Sequence, residues 1–206
     1  RDFCLSRGLG DVYKRQDAIN EGIAKGYTEG YLRKSVVAEP LFHRKNTQDN
    51  TPGIIYTKLV AGDRLSITIS LKGFGSENKS GVKMLVPADG VEGVKKAVMD
   101  IVQHAGPNPC PPEVVGVGIG GTMEQAALLS KKALLRPIDQ RHAMPEYAQL
   151  EEDLLALINR TGIGPQLGGT TTALAVNIEW GATHIAGLPV AVTICCHALR
   201  HAHRVL

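Results

Sequence analysis

The sequence has few aromatic residues and no long apolar run, and both absences narrow what the protein can be. Phe, Trp and Tyr make up 4% of the 206 residues, so aliphatic side chains must fill the core that the 43% hydrophobic content predicts. The longest uncharged apolar run, residues 185–196, is broken by Gly187 and Pro189 and is shorter than the roughly 18 residues that a membrane span needs. We therefore expect a globular chain that does not enter a membrane.

The sequence also lacks a charge excess of either sign. Its 23 Lys and Arg residues face 20 Asp and Glu residues, and the net charge of +3 is too small to indicate nucleic-acid binding. It contains four cysteines and no signal-peptide pattern. In a reducing compartment, thiols more often bind metal or take part in chemistry than form disulfides. We expect a cytoplasmic protein with no nucleic-acid partner.

Residues 1–16 do not share the periodicity of the rest of the chain. The segment begins with Arg1 rather than Met, and residues 11–16 (DVYKRQ) resemble the translation of a common transposase sequencing adaptor. We interpret residues 1–16 as an assembly artefact outside the fold, and residues 17–206 as the domain. The alternative is an ordinary disordered N-terminus.

Residues 17–206 alternate between helical and strand patterns, which predicts an α/β class: a single domain with helices packed around a mixed sheet. Apolar residues recur every four positions from residue 19 to residue 31, which predicts a helix. A capping box at residues 122–125 (TMEQ) opens a later one. Further patterns predict helices at 91–104, 122–136 and 145–160 and strands at 113–119, 172–179 and 185–194.

Two segments resemble a hairpin around residues 61–63. Residues 53–60 form the first arm and residues 64–71 the second. In the second arm Leu65, Ile67, Ile69 and Leu71 alternate with polar residues. This alternation predicts a strand with one buried and one solvated face.

A glycine-rich motif follows the strand predicted at 113–119. Residues 116–121 (GVGIGG) match the G-x-G-x-x-G pattern of dinucleotide-binding folds. That pattern also needs an acidic residue at the end of the next strand, about twenty residues on. Here the position falls at Asp139, just past Pro137 at the end of a predicted helix. We therefore favour a tight strand-to-helix turn, whose amides face some other anion, over a dinucleotide site.

Two further segments hold a rigid loop or closely spaced glycines. Residues 106–112 (GPNPCPP) surround Cys110 with prolines, which fix the backbone and remove amide donors, an arrangement that suits a metal ligand. A small buried hydrophobe is the alternative for a single cysteine. Residues 72–79 (KGFGSENK) place glycines where a backbone approaches a partner closely, or form a hairpin loop.

The last chemically suggestive segment is residues 183–197 (THIAGLPVAVTICCH). It places His184 before a predicted strand and two cysteines at the end of that strand. His197, His201 and His203 allow a zinc site, but exposed histidines on the chain leaving the strand are favoured.

Six motifs in order resemble the alpha subunit of class I fumarate hydratases. They are YLRKS at 31–35, DNTP at 49–52, GPNPCPP at 106–112, GVGIGGT at 116–122, GIGPQ at 162–166 and the segment from LPV at 188–190 to Cys196. The resemblance covers residues 17 to about 202. It implies an iron–sulfur hydro-lyase that reversibly hydrates fumarate to L-malate. The alternatives are the alpha subunit of an L-tartrate dehydratase and, in another class, a non-catalytic thiol–metal binding or assembly module.

The resemblance also implies a [4Fe–4S] cluster held by three thiolates. Cys110 and Cys196 match two of the family's ligands, and the third lies in a Cys-Gln-Asp-Thr-Gly motif that would precede residue 17. Cys4 does not replace it, because its surroundings are foreign to the family. The same motif carries the family's acid, and the base belongs to a beta subunit. We expect a beta subunit as partner, in a dimer of heterodimers, and no activity from this chain alone.

Of the two adjacent cysteines, Cys196 is the predicted ligand. Successive side chains of a strand point to opposite faces, so Cys195 and Cys196 cannot both reach the same iron. The family's ligand stands seven positions after the proline of LPV, and counting from Pro189 gives Cys196. Cys195 is predicted to lie in the aliphatic core.

A dicarboxylate substrate needs cations and amides that face it. Arg33, His184 and a backbone amide near Gly75 match positions that contact substrate in the family. A solvated helix residue is the alternative for Arg33, and a hydrogen-bonded core histidine is the alternative for His184. The sequence departs from the family at Phe74, where relatives usually have glycine, and after Gln166, where they carry a glycine that is missing here.

Overall fold

Residues 3–166 and 168–206 are described by the computed structural model, with side chains from residue 15 onward. The helices and strands confirm the predicted α/β class. The chain divides into two units, Arg1–Asp63 and Arg64–Leu206. No helix of the described residues is long and apolar enough to cross a membrane.

Unit Arg1–Asp63 contains one long helix, α1, Phe3–Glu29. The helix predicted from residue 19 is confirmed, and Ile19, Ile23 and Tyr27 are half-buried along one stripe. Tyr31, the last member of the predicted stripe, lies beyond the helix and is exposed. The backbone of residues 3–16 is also helical, although the adaptor origin of residues 1–16 stays a prediction.

The rest of this unit is irregular apart from one isolated antiparallel bridge between Val37 and Asn46, and polar side chains also hold it. The Oδ1 atom of Asn50 accepts hydrogen bonds from the backbone N–H groups of Ser35 at 2.7 Å and Val36 at 3.2 Å. The Asn20 side chain accepts one from the N–H of Gly53 at 2.9 Å and so anchors the loop to α1. Side-chain acceptors therefore add to this single bridge, where a sheet would provide a full ladder of backbone hydrogen bonds.

The predicted hairpin is wrong. Residues 53–60 form no strand, and β1, Ser66–Leu71, pairs antiparallel with β6, Arg200–Val205, near the end of the chain. Ile69 is 46% exposed, so the alternating apolar side chains of β1 do not form the predicted buried face. Alternation indicates a strand, but it does not say which segment completes the ladder.

A four-stranded mixed sheet forms the centre of unit Arg64–Leu206. Its strands are β2, Gly81–Leu85; β3, Glu113–Gly120; β4, Ala173–Gly181; and β5, Leu188–Cys195. Their order is β2-β5-β3-β4, with β5 antiparallel to both neighbours and β3 parallel to β4. The predicted strands β3, β4 and β5 are confirmed, whereas β2 was not predicted. Since β5 is antiparallel to β3, the end of β5 lies beside the start of β3.

Helices cover both faces of this sheet. On one face α3, Gly90–Ala105, and α5, Pro145–Asn159, share the main apolar core with Val115, Val117 and Ile194. On the other face lies α4, Met123–Ala133, which ends a turn earlier than predicted. The alternate residues Val114 and Cys195 pack on that side, with Leu134. The period of two in the strands thus divides apolar side chains between two cores.

The glycine motif at 116–121 is explained by the packing of α4. A Cβ atom on Gly116 would lie 2.1 Å from the carbonyl oxygen of Ser130, and one on Gly118 would lie 2.0 Å from that of Ala126. The helix backbone therefore rests directly on β3. Gly120 and Gly121 have φ angles of 88° and 71° and make the predicted strand-to-helix turn. These glycines serve close packing and the turn.

Candidate functional site

The structure brings Cys110 and Cys196 to the same end of the central sheet. Cys110 lies just before β3 and Cys196 directly follows β5, and Val114 is paired with Cys195 where these strands adjoin. The imidazole Nδ1 of His197 lies 3.0 Å from the carbonyl oxygen of Cys110. Two cysteines that are far apart in sequence therefore belong to neighbouring loops.

The loop that carries Cys110 has few hydrogen bonds of its own. The N–H of Cys110 donates to the carbonyl of Pro107 at 3.3 Å, and the side chain of Asn108 donates to the carbonyl of Ala105 at 3.2 Å. Cys110 itself has a φ of 64°, which is uncommon for a residue with a Cβ atom. Its side chain is exposed, so the thiol is accessible to a metal or a partner.

The adjacent cysteines occupy different environments. Cys195 is buried among Val114, Leu134 and Ala175, which confirms the prediction that it lies in the aliphatic core. Burial raises the pKa of the Cys195 thiol to about 11, so this thiol stays protonated at neutral pH. Cys196 is half-buried, outside that core. These environments favour Cys196 over Cys195 as a ligand, an assignment that stays a prediction.

The segment at residues 72–80 also reaches this end of β5. The N–H of Ile194 donates to the hydroxyl of Ser80 at 3.1 Å, and a short helix, α2, Phe74–Glu77, packs against β5. Gly75 is exposed, and a Cβ atom there would meet nothing within 4 Å. Its N–H lies in the first turn of α2, where backbone N–H groups have no partner within the helix. The amide predicted to contact substrate is therefore accessible, and so is Phe74, which is 74% exposed.

Two lysines converge on one carboxylate beside this segment. The ammonium group of Lys72 lies 3.0 Å from the Glu77 carboxylate and 3.2 Å from the hydroxyl of Ser76, and Lys131 donates to the same carboxylate from α4. Burial would raise the pKa of Glu77, but the hydrogen bonds from Lys131 and Lys72 outweigh it and leave the pKa below its usual value. The cluster therefore carries one net positive charge. No sequence pattern reveals this cluster, because Lys131 is far from Lys72 and Glu77 along the chain and meets them only in the fold.

A buried glutamate lies at the start of β3, and sequence reasoning missed it as well. The Glu113 side chain is fully buried, and neither carboxyl oxygen has a hydrogen-bond partner among the described residues. Desolvation raises the pKa of Glu113 to about 8, so the group is mainly neutral at pH 7. The only local signal is an acidic residue at the head of a β-branched strand, which does not reveal whether a partner is present.

The structure separates His184 from the cysteines. His184 precedes β5, whereas Cys196 follows it, and the hydroxyl of neighbouring Thr183 donates to the carbonyl of Gly121 beyond the far end of β3. His184 is exposed, and its Nδ1 accepts a hydrogen bond from the N–H of Ala186 at 3.1 Å, which does not fit a core histidine. Its predicted contact with substrate stays a prediction.

Two other predicted features concern Arg33 and the loop after Gln166. Arg33 belongs to unit Arg1–Asp63, follows α1 and is exposed. Its role also stays a prediction. The position after Gln166, where the family's glycine is missing, lies outside the described residues.

Within the described part of the chain, no three His, Cys, Asp or Glu side chains converge in a way that would hold a metal ion. His201 and His203 lie on β6, which is exposed along its whole length, and His203 is hydrogen-bonded to Thr68 at 2.8 Å. This arrangement favours exposed histidines over the zinc alternative. Cys110 and Cys196 can supply two ligands, and the three-thiolate cluster stays a prediction.

Comparisons with known proteins agree with the motifs. Residues 7–205 match the family model described as Fumarate hydratase (Fumerase), so the match begins within the segment that we interpreted as adaptor. The chain is 46% identical over 197 residues to the putative L(+)-tartrate dehydratase subunit alpha of Methanocaldococcus jannaschii. This alignment covers 93% of this chain and 69% of that relative. It is 37% identical over 190 residues to the L(+)-tartrate dehydratase subunit alpha of Escherichia coli strain K12 and of Shigella sonnei, covering 90% of this chain and 62% of each relative. The chain thus spans less than two thirds of the length of these bacterial relatives.

Proposed function

Because the chain belongs to the fumarate hydratase family, we propose that it is the alpha-type subunit of an iron–sulfur hydro-lyase and that its substrate is L-tartrate. The observation that carries this proposal is the meeting of Cys110 and Cys196 at one end of the sheet. The names of the relatives, L(+)-tartrate dehydratase subunit alpha, support L-tartrate over fumarate. Fumarate hydration is the second candidate, supported by the description of the family model and by the sequence motifs.

The chemistry of the available donors fits an iron–sulfur cluster in part. The accessible Cys110 and the half-buried Cys196 would hold two irons as thiolates, which are the ligands that such clusters prefer. Cys195 does not fit as the third ligand, because it is buried in the core with a pKa of about 11. We therefore propose that the third thiolate comes from the Cys-Gln-Asp-Thr-Gly motif expected ahead of residue 17.

The chemistry that a bound cluster would supply is Lewis-acid activation of the substrate hydroxyl at an open iron position. The chain itself would then bind and orient the dianion. The Gly75 amide, exposed in the first turn of α2, would donate to a carboxylate, and the cluster of Lys72, Lys131 and Glu77 would add one net positive charge beside it. Arg33 and His184 are proposed as further substrate contacts, on the resemblance alone.

A partner subunit completes the proposal. The relatives are named as alpha subunits, which supports a beta subunit for this chain too. The general base would come from that beta subunit, and the acid from the motif ahead of residue 17. The 206-residue chain alone is then expected to turn over neither substrate.

The decisive experiment compares two substrates on one reconstituted enzyme. A chain that carries a Cys-Gln-Asp-Thr-Gly motif ahead of residue 17 is co-expressed with a beta subunit and purified without oxygen. Dehydration of L-tartrate is followed by oxaloacetate formation, and fumarate hydration by L-malate formation, each with kcat/KM measured. We expect a brown, oxygen-sensitive protein that prefers L-tartrate.

The matched control separates the two adjacent cysteines. Cys196→Ala should abolish the bound iron, whereas Cys195→Ala should retain it. A higher kcat/KM for fumarate than for L-tartrate would favour the second candidate function, fumarate hydration. Turnover by the 206-residue chain alone, or an active enzyme that contains no iron, would contradict the mechanism.

A further inference from the structure

We propose that His197 is a positioning residue that ties the loop of Cys110 to the end of β5 and so sets the separation of the Cys110 and Cys196 thiols. The proposal deepens the proposed function and rests on it for the use of those thiols, while the contact itself can be tested without a cluster. His197 is assigned no part in binding substrate or metal.

The contact has a defined direction. The Nδ1 atom of His197 lies 3.0 Å from the carbonyl oxygen of Cys110, and a carbonyl can only accept, so Nδ1 carries the hydrogen and donates it. His197 directly follows Cys196 in the chain. The backbones that carry the two thiols are therefore held within the reach of a single imidazole side chain.

The loop needs this support because it can make few bonds of its own. The four prolines of residues 106–112 have no N–H to donate. Cys110 keeps a φ of 64°, a conformation that a residue with a Cβ atom adopts only when surrounding contacts maintain it. The N–H of Cys110 donates to the carbonyl of Pro107 and its carbonyl accepts from His197, so the peptide groups on both sides of its Cα are held. The exposed loop would otherwise sample other orientations of the thiol.

Three substitutions of His197 separate the effect of its hydrogen bond from the effect of its ring volume. His197→Phe keeps a ring and removes the donor. His197→Asn places an amide N–H close to where Nδ1 stands, whereas His197→Gln places it near the position of Nε2, one bond further out. His201→Phe is the matched control, since His201 is another exposed histidine, on β6.

The readout is the rate at which the two thiols become cross-linked in the 206-residue chain. Cys4→Ser and Cys195→Ala are introduced so that Cys110 and Cys196 remain, and dibromobimane is added, which becomes fluorescent once both of its arms have alkylated thiols. Circular dichroism checks that each variant stays folded. Loss of one neutral hydrogen bond should lower the rate roughly two- to ten-fold in His197→Phe and His197→Gln, with recovery in His197→Asn and no change in His201→Phe.

Equal rates in all the folded variants, or no cross-link in the parent chain, would overturn the role of His197. If His197→Phe unfolds, the difference between the Asn and Gln variants decides. The failure of the proposed function looks different. In that case the thiols would cross-link in a His197-dependent way, but the completed enzyme would assemble no iron–sulfur cluster.

Discussion

Glu151, on α5, and Glu113, at the start of β3, are both completely buried, yet in the described part of the chain Glu151 alone has hydrogen-bond partners for its carboxylate. The Glu151 carboxylate accepts hydrogen bonds from Arg136 at 2.5 Å, from the N–H of Ile178 at 2.8 Å and from the N–H of His142 at 3.0 Å. The oxygens of Glu113 have none among the described residues. The Glu151 carboxylate is therefore fully hydrogen-bonded, whereas the Glu113 carboxyl, close in sequence to the loop of Cys110, is mainly protonated at pH 7.

The difference separates a structural region from a candidate functional one. Around Glu151 the partners join α5, β4 and the segment after α4, so the network fixes how these elements meet. At the start of β3, groups with reactive or titratable side chains are left accessible or without a partner, as with Cys110 and Glu113. Proteins keep such groups mainly where they bind or react.

The largest effect is expected when the buried Glu151 carboxylate loses its cationic partner, Arg136. Arg136→Met would leave the buried Glu151 carboxylate without its charged partner, which costs roughly 3–5 kcal/mol of the free energy of unfolding. Urea denaturation at pH 7 measures the loss. The control is Lys132→Met, which breaks an exposed pair with Glu179 that is worth at most about 1 kcal/mol. Equal losses in the two variants would remove the distinction between a structural and a surface ion pair.

The second prediction concerns Glu113, whose effect on stability depends on pH. The fold raises the pKa of Glu113 from 4.5 to about 8. The favourable contribution of the protonated carboxyl to the free energy of unfolding is therefore fully present below pH 4.5 and is lost as the pH rises through 8. At pH 7 the unfolded chain has released this proton and the fold still holds it. At about 1.4 kcal/mol per pH unit, this difference lowers the free energy of unfolding by roughly 3 kcal/mol between pH 4.5 and pH 7.

Glu113→Gln cannot ionise and should remove that loss. Urea denaturation of this variant and the parent chain at pH 4.5, 6, 7 and 8 should give curves that diverge as the pH rises, with the variant more stable. Glu152→Gln, an exposed position on α5, should follow the parent. Parallel curves for Glu113→Gln would mean that a partner holds the carboxyl.

The smallest effect distinguishes Cys195 from Cys196 at the end of β5. Cys195→Ala removes one buried sulfur, which costs roughly 1 kcal/mol by analogy with other small core truncations. Cys196→Ala, at a half-buried position, should cost less. In the native parent chain, iodoacetamide at pH 8 should alkylate Cys196 and spare Cys195, because burial raises the pKa of Cys195 to about 11. Mass spectrometry of peptides locates the label, and faster labelling of Cys195 would place the wrong cysteine in the core.

Local patterns predicted much of the fold and less of the site. The helices α3 and α5 and the strands β3, β4 and β5 were predicted because their apolar residues repeat with the periods of helix and strand. The hairpin failed because β1 pairs with β6 instead of its neighbour in sequence. The motifs singled out Cys110, Cys196 and His184, and the structure places the two cysteines at one end of β5 and His184 before its other end. The roles of all three residues stay predictions.

The sequence by itself determined the α/β class and the strands β3, β4 and β5, because these follow from the spacing of residues close together in the chain. Alternation put Cys195 and Cys196 on opposite faces, and the resemblance to the family implied that Cys195 is the buried one. Only the tertiary structure decided that Glu151 has partners while Glu113 has none within the described residues, that Lys131 joins Lys72 on Glu77, and that His197 contacts the loop of Cys110. These outcomes depend on which distant segments the sheet places side by side. A hydrogen bond or an ion pair acts over a few ångströms in space, and periodicity along the chain carries no information about that distance.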